Sequence, residues 1–133
     1  MSVEKRLLLA VILGYLVIYI LPLSVRPLQL PDETRYAEIP RQMLLTGDFV
    51  VPKLNGLRYF EKPPLGYWAT ALSIAIFGEN AFAVRLPPVL SVAGSALLLF
   101  LLLKTVTGSF RSGLFAAVIF ISFFQVFAIG TFN

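Results

Sequence analysis

One stretch of this 133-residue sequence gathers side chains of types that do chemistry, among them Asp32 and Glu33 side by side, then Arg58, Tyr59, Glu61 and Lys62. The sequence contains no His and no Cys. Disulfides, iron–sulfur clusters, thiolate nucleophiles, Ser–His triads and HExxH zinc sites are therefore excluded. Any chemistry must come from Asp, Glu, Lys, Arg and Tyr. Lys62 stands just before Pro63–Pro64 and the run LGYWATALSIAIFG. Proline suits the first helical position and Gly78 the position just past the end. Lys62 is thus placed at a helix N-terminus, where free backbone N–H groups and an ammonium together make an anion site.

Each of these residues also has a plainer reading. Asp32 follows Pro31 at the start of an amphipathic stretch, the position of an N-cap, worth about 1 kcal/mol. Lys62 equally reads as a lysine snorkelling from an interfacial helix to lipid headgroups. Glu61 is either a lone metal ligand, which without His makes a poor site, or the local ion-pair partner of Lys62 or Arg58. Tyr59 either hydrogen-bonds a ligand or is a cross-strand aromatic.

The elements that must position these side chains lie in a membrane. Hydrophobic residues make up 58% of the sequence and charged ones 14%, and the mean hydropathy is +0.85. A soluble domain carries roughly 25% charged residues, and disordered chains are poor in aliphatics and aromatics. Three charge-free segments are long enough to span, about residues 7–25, 86–103 and 112–132. The first reads as an uncleaved signal anchor, because its apolar run is too long for a signal-peptide core and no A-x-A site follows. Pro22 should end or kink it. Tyr15 and Tyr19 share one of its faces, and Gln125 in the third span is expected to hydrogen-bond a neighbouring helix.

The connection between the first two spans, residues 26–85, holds six of the seven acids and seven of the eleven cations. A structureless loop of that length is uncommon. Tyr36, Ile39, Met43 and Leu44 fall on one helical face, which suggests a surface helix kinked at Pro40 and stopped by Gly47. Asn55–Gly56 between two apolar runs predicts a β-hairpin over Phe49–Phe60. The 14-residue stretch Leu65–Gly78 is too short to span and suits an interfacial or re-entrant helix, with Tyr67 and Trp68 in the aromatic belt. Counted raw, seven cations in the connection against four outside it favour a cytoplasmic connection; long loops translocate largely regardless of charge, and the denser clustering in the short segments favours the N-terminus inside and the connection outside. The seven loop cations (Arg26, Arg35, Arg41, Lys53, Arg58, Lys62 and Arg85) suit an anionic lipid substrate and equally suit phospholipid headgroups. Nucleic-acid binding is not indicated.

The run LPDETRYAEIPRQMLLTGDFVVPKLNGLRYFEKPPLGYW, Leu30–Trp68, closely resembles the first external loop of the bacterial lipid A aminoarabinose transferases. These are GT-C glycosyltransferases related to the protein O-mannosyltransferases. LPLSVR before the loop and FAIGT near the end resemble the same family. The most specific motifs are DETRYAE and LRYFEKP taken together.

The resemblance implies an all-α integral membrane fold of GT-C type. Three transmembrane helices would carry an external loop holding two short juxtamembrane helices and a β-hairpin. It implies a glycosyltransferase that moves 4-amino-4-deoxy-L-arabinose from undecaprenyl phosphate to a lipid A phosphate, a lipopolysaccharide modification that confers polymyxin resistance. The implied place is the bacterial inner membrane, with a cytoplasmic N-terminus and a periplasmic loop 26–85. By motif match, Asp32 is similar to the family's catalytic aspartate, and Glu33 completes the paired acidic motif. Lys62 is similar to the residue that contacts donor phosphate, with Arg58, Tyr59 and Glu61 beside it. The implied partners are a polyprenyl-phosphate sugar donor, lipid A or another glycan or protein acceptor, and membrane lipids. No cofactor beyond the lipid-linked donor is implied, and a divalent metal has no support.

Alternatives are a polyprenyl-phosphate hexose transferase acting on a protein or glycan hydroxyl, and a non-catalytic truncated membrane paralogue. Family chains run to several hundred residues, so residues 1–133 are expected to be the N-terminal part of the transmembrane domain, inactive alone.

Overall fold

The computed structural model describes residues 2–131 and resolves into two compact units. One is built from residues 2–22 and 88–131, the other from residues 23–87. In the first unit, α1 (Val3–Tyr15) runs into a π-helical turn (Leu16–Ile20) and a 3-10 turn (Leu21–Ser24). Ser2 caps its start. Pro22 lies in the 3-10 turn, so the helix tightens there before it ends. Tyr15 and Tyr19 stack with ring centroids 4.5 Å apart. Their hydroxyls donate to the Val89 carbonyl at 2.5 Å and the Ile121 carbonyl at 2.7 Å.

The helix α4 (Ala81–Thr107) starts five residues before the charge-free span expected from residue 86. The sequence boundary was set by the charge of Arg85, but the structure neutralises that charge, and the helix runs through it. Asn80 organises the start. Its side-chain oxygen accepts from the Ala83 amide at 2.9 Å, and its Nδ2 donates back to the Phe77 carbonyl at 2.7 Å.

The third charge-free segment is broken rather than continuous. α5 (Phe110–Ser122) and α6 (Phe124–Thr131) meet at a 66° bend, and the expected end at Phe132 lies outside the described residues. Phe123 between them is extended. Neither Pro nor Gly marks the break; the local sign is Ser122, whose hydroxyl bonds back to the Val118 carbonyl at 2.7 Å, a pattern that bends helices. By length and composition two helices, Val3–Ser24 and Ala81–Thr107, are able to cross a membrane, and a third span is reached if the bent pair is one. Gln125 is exposed and has no hydrogen-bond partner among the described residues, contrary to the interhelical bond expected of it.

In the second unit, α2 (Asp32–Thr46) passes unbroken through Pro40 and stops at Gly47, whose φ of 70° a side chain would strain. The hairpin is shorter than expected: β1 (Lys53–Leu54) pairs antiparallel with β2 (Leu57–Arg58), and the Tyr59 amide donates to the Pro52 carbonyl at 2.8 Å. Phe49–Val51 is instead drawn into a turn in which Asp48 accepts from the Val50 and Val51 amides. The turn itself is as the sequence predicts, with Asn55 and Gly56 both at positive φ, 52° and 80°.

α3 (Pro64–Phe77) has Pro63 at its cap and ends on Gly78. Ile39 and Met43 of α2 pack on Tyr67 of α3, with Tyr36, Leu54 and Tyr59 around them. Tyr67 is only 3% exposed. It belongs to this core and not to an aromatic belt. Its neighbour Trp68 is exposed, and Trp68 Nε1 donates to the Phe49 carbonyl at 2.8 Å. Leu44 is likewise exposed and leaves the expected α2 face.

Candidate functional site: an acid–cation chain on the second unit

Asp32 is the first residue of α2, and Pro31 occupies the cap position. The expected N-cap role is therefore not what its side chain does. The exposed carboxylate pairs with Arg35 one turn on. Three residues apart on a helix is contact distance. Arg35 also donates through Nη1 to the Tyr59 hydroxyl at 3.1 Å. Tyr59 in turn donates to the Glu61 carboxylate, whose Oε2 lies 3.9 Å from Arg35 Nη1. The result is one continuous chain, Asp32–Arg35–Tyr59–Glu61, that joins the start of α2 to the segment after β2.

Hydrogen bonding to Asp32 raises the Arg35 guanidinium above its ordinary value, and the hydrogen bond to Glu61 raises the Tyr59 phenol. Both residues therefore keep their donor protons at neutral pH. Glu61 takes Tyr59 and Arg35 as partners instead of the Lys62 or Arg58 expected from sequence. Among the described residues no group of three carboxylate, His or Cys side chains gathers to hold a metal.

Lys62 and Arg58 are both exposed and have no ion-pair partner among the described residues. Lys62 lies two residues ahead of α3, next to Glu61 in sequence. The geometry thus leaves two cations without an ion-pair partner beside a chain in which Arg35 serves both Asp32 and Glu61. Such cations are electrostatically suited to an anion.

Glu33, adjacent to Asp32 in sequence, has the opposite environment. It is 1% exposed and held by Arg85, which is fully buried, through two hydrogen bonds of 2.7 Å. The Gln29 amide donates to it at 2.8 Å, and Arg26 Nη2 lies 4.0 Å away. Burial alone would raise the Glu33 carboxyl, but the hydrogen bonds from Arg85 and Gln29 and the charges of Arg85 and Arg26 outweigh it and hold it below the usual carboxylate range. Arg85 donates its remaining N–H groups to the carbonyls of Leu23, Arg26 and Pro27, each at 2.9 Å.

Two residues at this site were not singled out from sequence. Arg35 was countable as the i+3 partner of Asp32. Arg85 was not findable, because its partner lies 52 positions away.

A helical membrane protein with a site of acidic and cationic side chains is the class that this fold and site define. A profile of the dolichyl-phosphate-mannose-protein mannosyltransferase family matches residues 5–133, and the chain belongs to that family. The chain is 50% identical over 119 residues to the undecaprenyl phosphate-α-4-amino-4-deoxy-L-arabinose arabinosyl transferase 1 of Sodalis glossinidius, covering 90% of this chain and 21% of that protein. It is 49% identical over 119 residues to the corresponding transferase of Serratia proteamaculans, with the same coverage. The crystal structure of ArnT from Cupriavidus metallidurans bound to undecaprenyl phosphate superposes with a TM-score of 0.91 at 31% identity, over 99% of this chain and 24% of that one. The chain thus spans about a fifth of the length of the curated relatives it matches.

Proposed function

We propose that this chain is the N-terminal part of a GT-C transmembrane domain that moves a sugar from undecaprenyl phosphate to an acceptor outside the bacterial inner membrane. The sugar is 4-amino-4-deoxy-L-arabinose and the acceptor is a phosphate of lipid A. The N-terminus is cytoplasmic and the loop of residues 26–85 is periplasmic. The observation that carries the reading is the 44–50% identity to aminoarabinose transferases over about nine-tenths of the chain. The site geometry supports it, because an anionic donor requires unpaired cations and Lys62 and Arg58 are that.

The reaction is a displacement at an anomeric carbon with a lipid phosphate as leaving group. Charge builds on that phosphate as the bond breaks, and nearby cations neutralise it. Lys62 takes this role, and Arg58 assists. A lipid A phosphate monoester is already anionic near neutral pH, since its second pKa is about 6. It needs no general base, so Asp32 stabilises positive charge developing on the sugar ring and orients the reactants. Arg35, Tyr59 and Glu61 hold Asp32 in place. Glu33 acts through its neighbour, by fixing the backbone from which Asp32 projects. The runner-up, a hexose transfer to a hydroxyl, is favoured by the family profile alone; there Asp32 would serve as general base.

The test is transfer in membranes from cells expressing the full reading frame, with labelled undecaprenyl phosphate–aminoarabinose as donor and lipid A as acceptor. Asp32→Asn should abolish or nearly abolish transfer. Turnover by that variant at the wild-type rate would remove Asp32 from the mechanism, and transfer to a hydroxyl but not to lipid A would select the runner-up.

A further inference from the structure

Three side-chain polar atoms of the second unit are buried without a hydrogen-bond partner among the described residues: the Tyr67 hydroxyl, Arg35 Nε and Ser73 Oγ. Arg35 belongs to the chain that holds Asp32, and Tyr67 packs with Tyr36 and Tyr59 beside it, whereas Ser73 lies further along α3. Tyr67 as a whole is 3% exposed. Its ring lies 6.2 Å from that of Tyr36, inclined 29°, and the core of Ile39 and Met43 fixes it further. The ionisable groups near enough to act on its phenol are Tyr36, Tyr59, Glu61 and Arg35, three of which are members of or neighbours to the chain that holds Asp32. A buried donor with no acceptor carries an uncompensated desolvation cost, and native interiors hold few such groups.

We propose that Tyr67 is a substrate-orienting residue: its buried hydroxyl, together with Arg35 Nε–H, donates to an oxygen of the lipid-linked sugar phosphate. This rests on the reading of the site as a polyprenyl-phosphate sugar site. A phenol is suited to the task. Burial, followed by the phenols of Tyr36 and Tyr59, pushes its pKa up to about 12, so it remains a donor at any working pH. The ring is clamped, so the hydroxyl loses little rotational freedom on binding. A neutral donor is also sensitive to position, whereas the flexible ammonium of Lys62 supplies charge with less geometric constraint. Lys62 and Arg58 attract the phosphate, and Tyr67 sets how it sits.

Tyr67→Phe deletes only the hydroxyl. The protein expressed from its full reading frame is purified in detergent, and undecaprenyl phosphate is titrated against wild type, Tyr67→Phe and Lys62→Ala, with thermal melting recorded for each. The expected result for Tyr67→Phe is a dissociation constant raised about ten- to a hundredfold, as for loss of one hydrogen bond to a charged group, with a melting temperature equal to or above wild type.

Wild-type affinity in Tyr67→Phe, with weakened binding in Lys62→Ala, would overturn the role of Tyr67 and leave the site standing. Wild-type affinity in both variants would remove the phosphate site itself. A lowered melting temperature in Tyr67→Phe would mean that the hydroxyl is satisfied inside the protein, and would also overturn the proposal.

Discussion

Arg85 holds Glu33 with both arms of its guanidinium, and every N–H it owns is engaged, two on the Glu33 carboxylate and three on the carbonyls of Leu23, Arg26 and Pro27. A buried pair of this kind is costly to break from one side, because the surviving charge is stranded in the interior. Arg85→Ala and Glu33→Ala should each destabilise the second unit by about 3–5 kcal/mol. The double variant Glu33→Leu/Arg85→Leu should recover part of that loss. Thermal melting of the three variants in detergent checks the order.

The same pair gives a pH dependence with a definite sign. The Glu33 carboxyl is held below its ordinary value of 4.5. Its contribution to stability is therefore fully present above that pH and is lost as pH falls through the lower folded value. The melting-temperature gap between wild type and Glu33→Leu/Arg85→Leu should be constant at neutral pH and shift against wild type only on acidification below 4.5. A gap that changes between pH 6 and 8, on the order of the histidine range, would contradict the assignment, since the sequence has no His.

Tyr59 carries the link between Arg35 and Glu61. Tyr59→Phe should leave melting unchanged, because the link is solvent-accessible and exposed pairs contribute little. Transfer activity should fall, with the loss in kcat and not in KM, if the link serves to orient Asp32 rather than to bind donor. Steady-state kinetics on the full-reading-frame protein separates the two.

Gly113 marks a close helix approach in the membrane unit. A Cβ there would lie 2.5 Å from the Phe100 carbonyl oxygen and 3.1 Å from Lys104 Cβ. Gly113→Ala should destabilise by about 1–3 kcal/mol through overpacking. Gly94→Ala, which meets nothing within 4 Å, should be neutral. Small residues at such contacts let helix backbones approach in lipid.

Local chemistry was the legible part. Pro63–Pro64 and Gly78 bounded α3, and Asn55–Gly56 placed the turn, because each depends on one or two residues. Long-range partnership was not legible. Nothing in the adjacent letters Asp32–Glu33 says that one faces solvent and the other is buried, since that is decided by an arginine 52 positions on. Arg85 itself made the α4 boundary look late, because charge is a stop signal only while it is unpaired. Tyr67 and Trp68 are neighbours with similar composition cues, yet helical geometry sends one into the core and leaves the other outside. The bend at Phe123 carries no Pro or Gly, so hydropathy read the segment as continuous.

Because Arg85 grips Leu23, Arg26 and Pro27 across 58–62 positions of sequence, the long connection departs and returns at a single neck. A tied excursion behaves differently from an open one. Lengthening it costs little, about 0.6 kcal/mol for each doubling of a flexible loop, provided the neck stays shut. The hairpin tip at Asn55–Gly56 is then a place where added residues would be tolerated, while the base that carries Asp32 keeps its form.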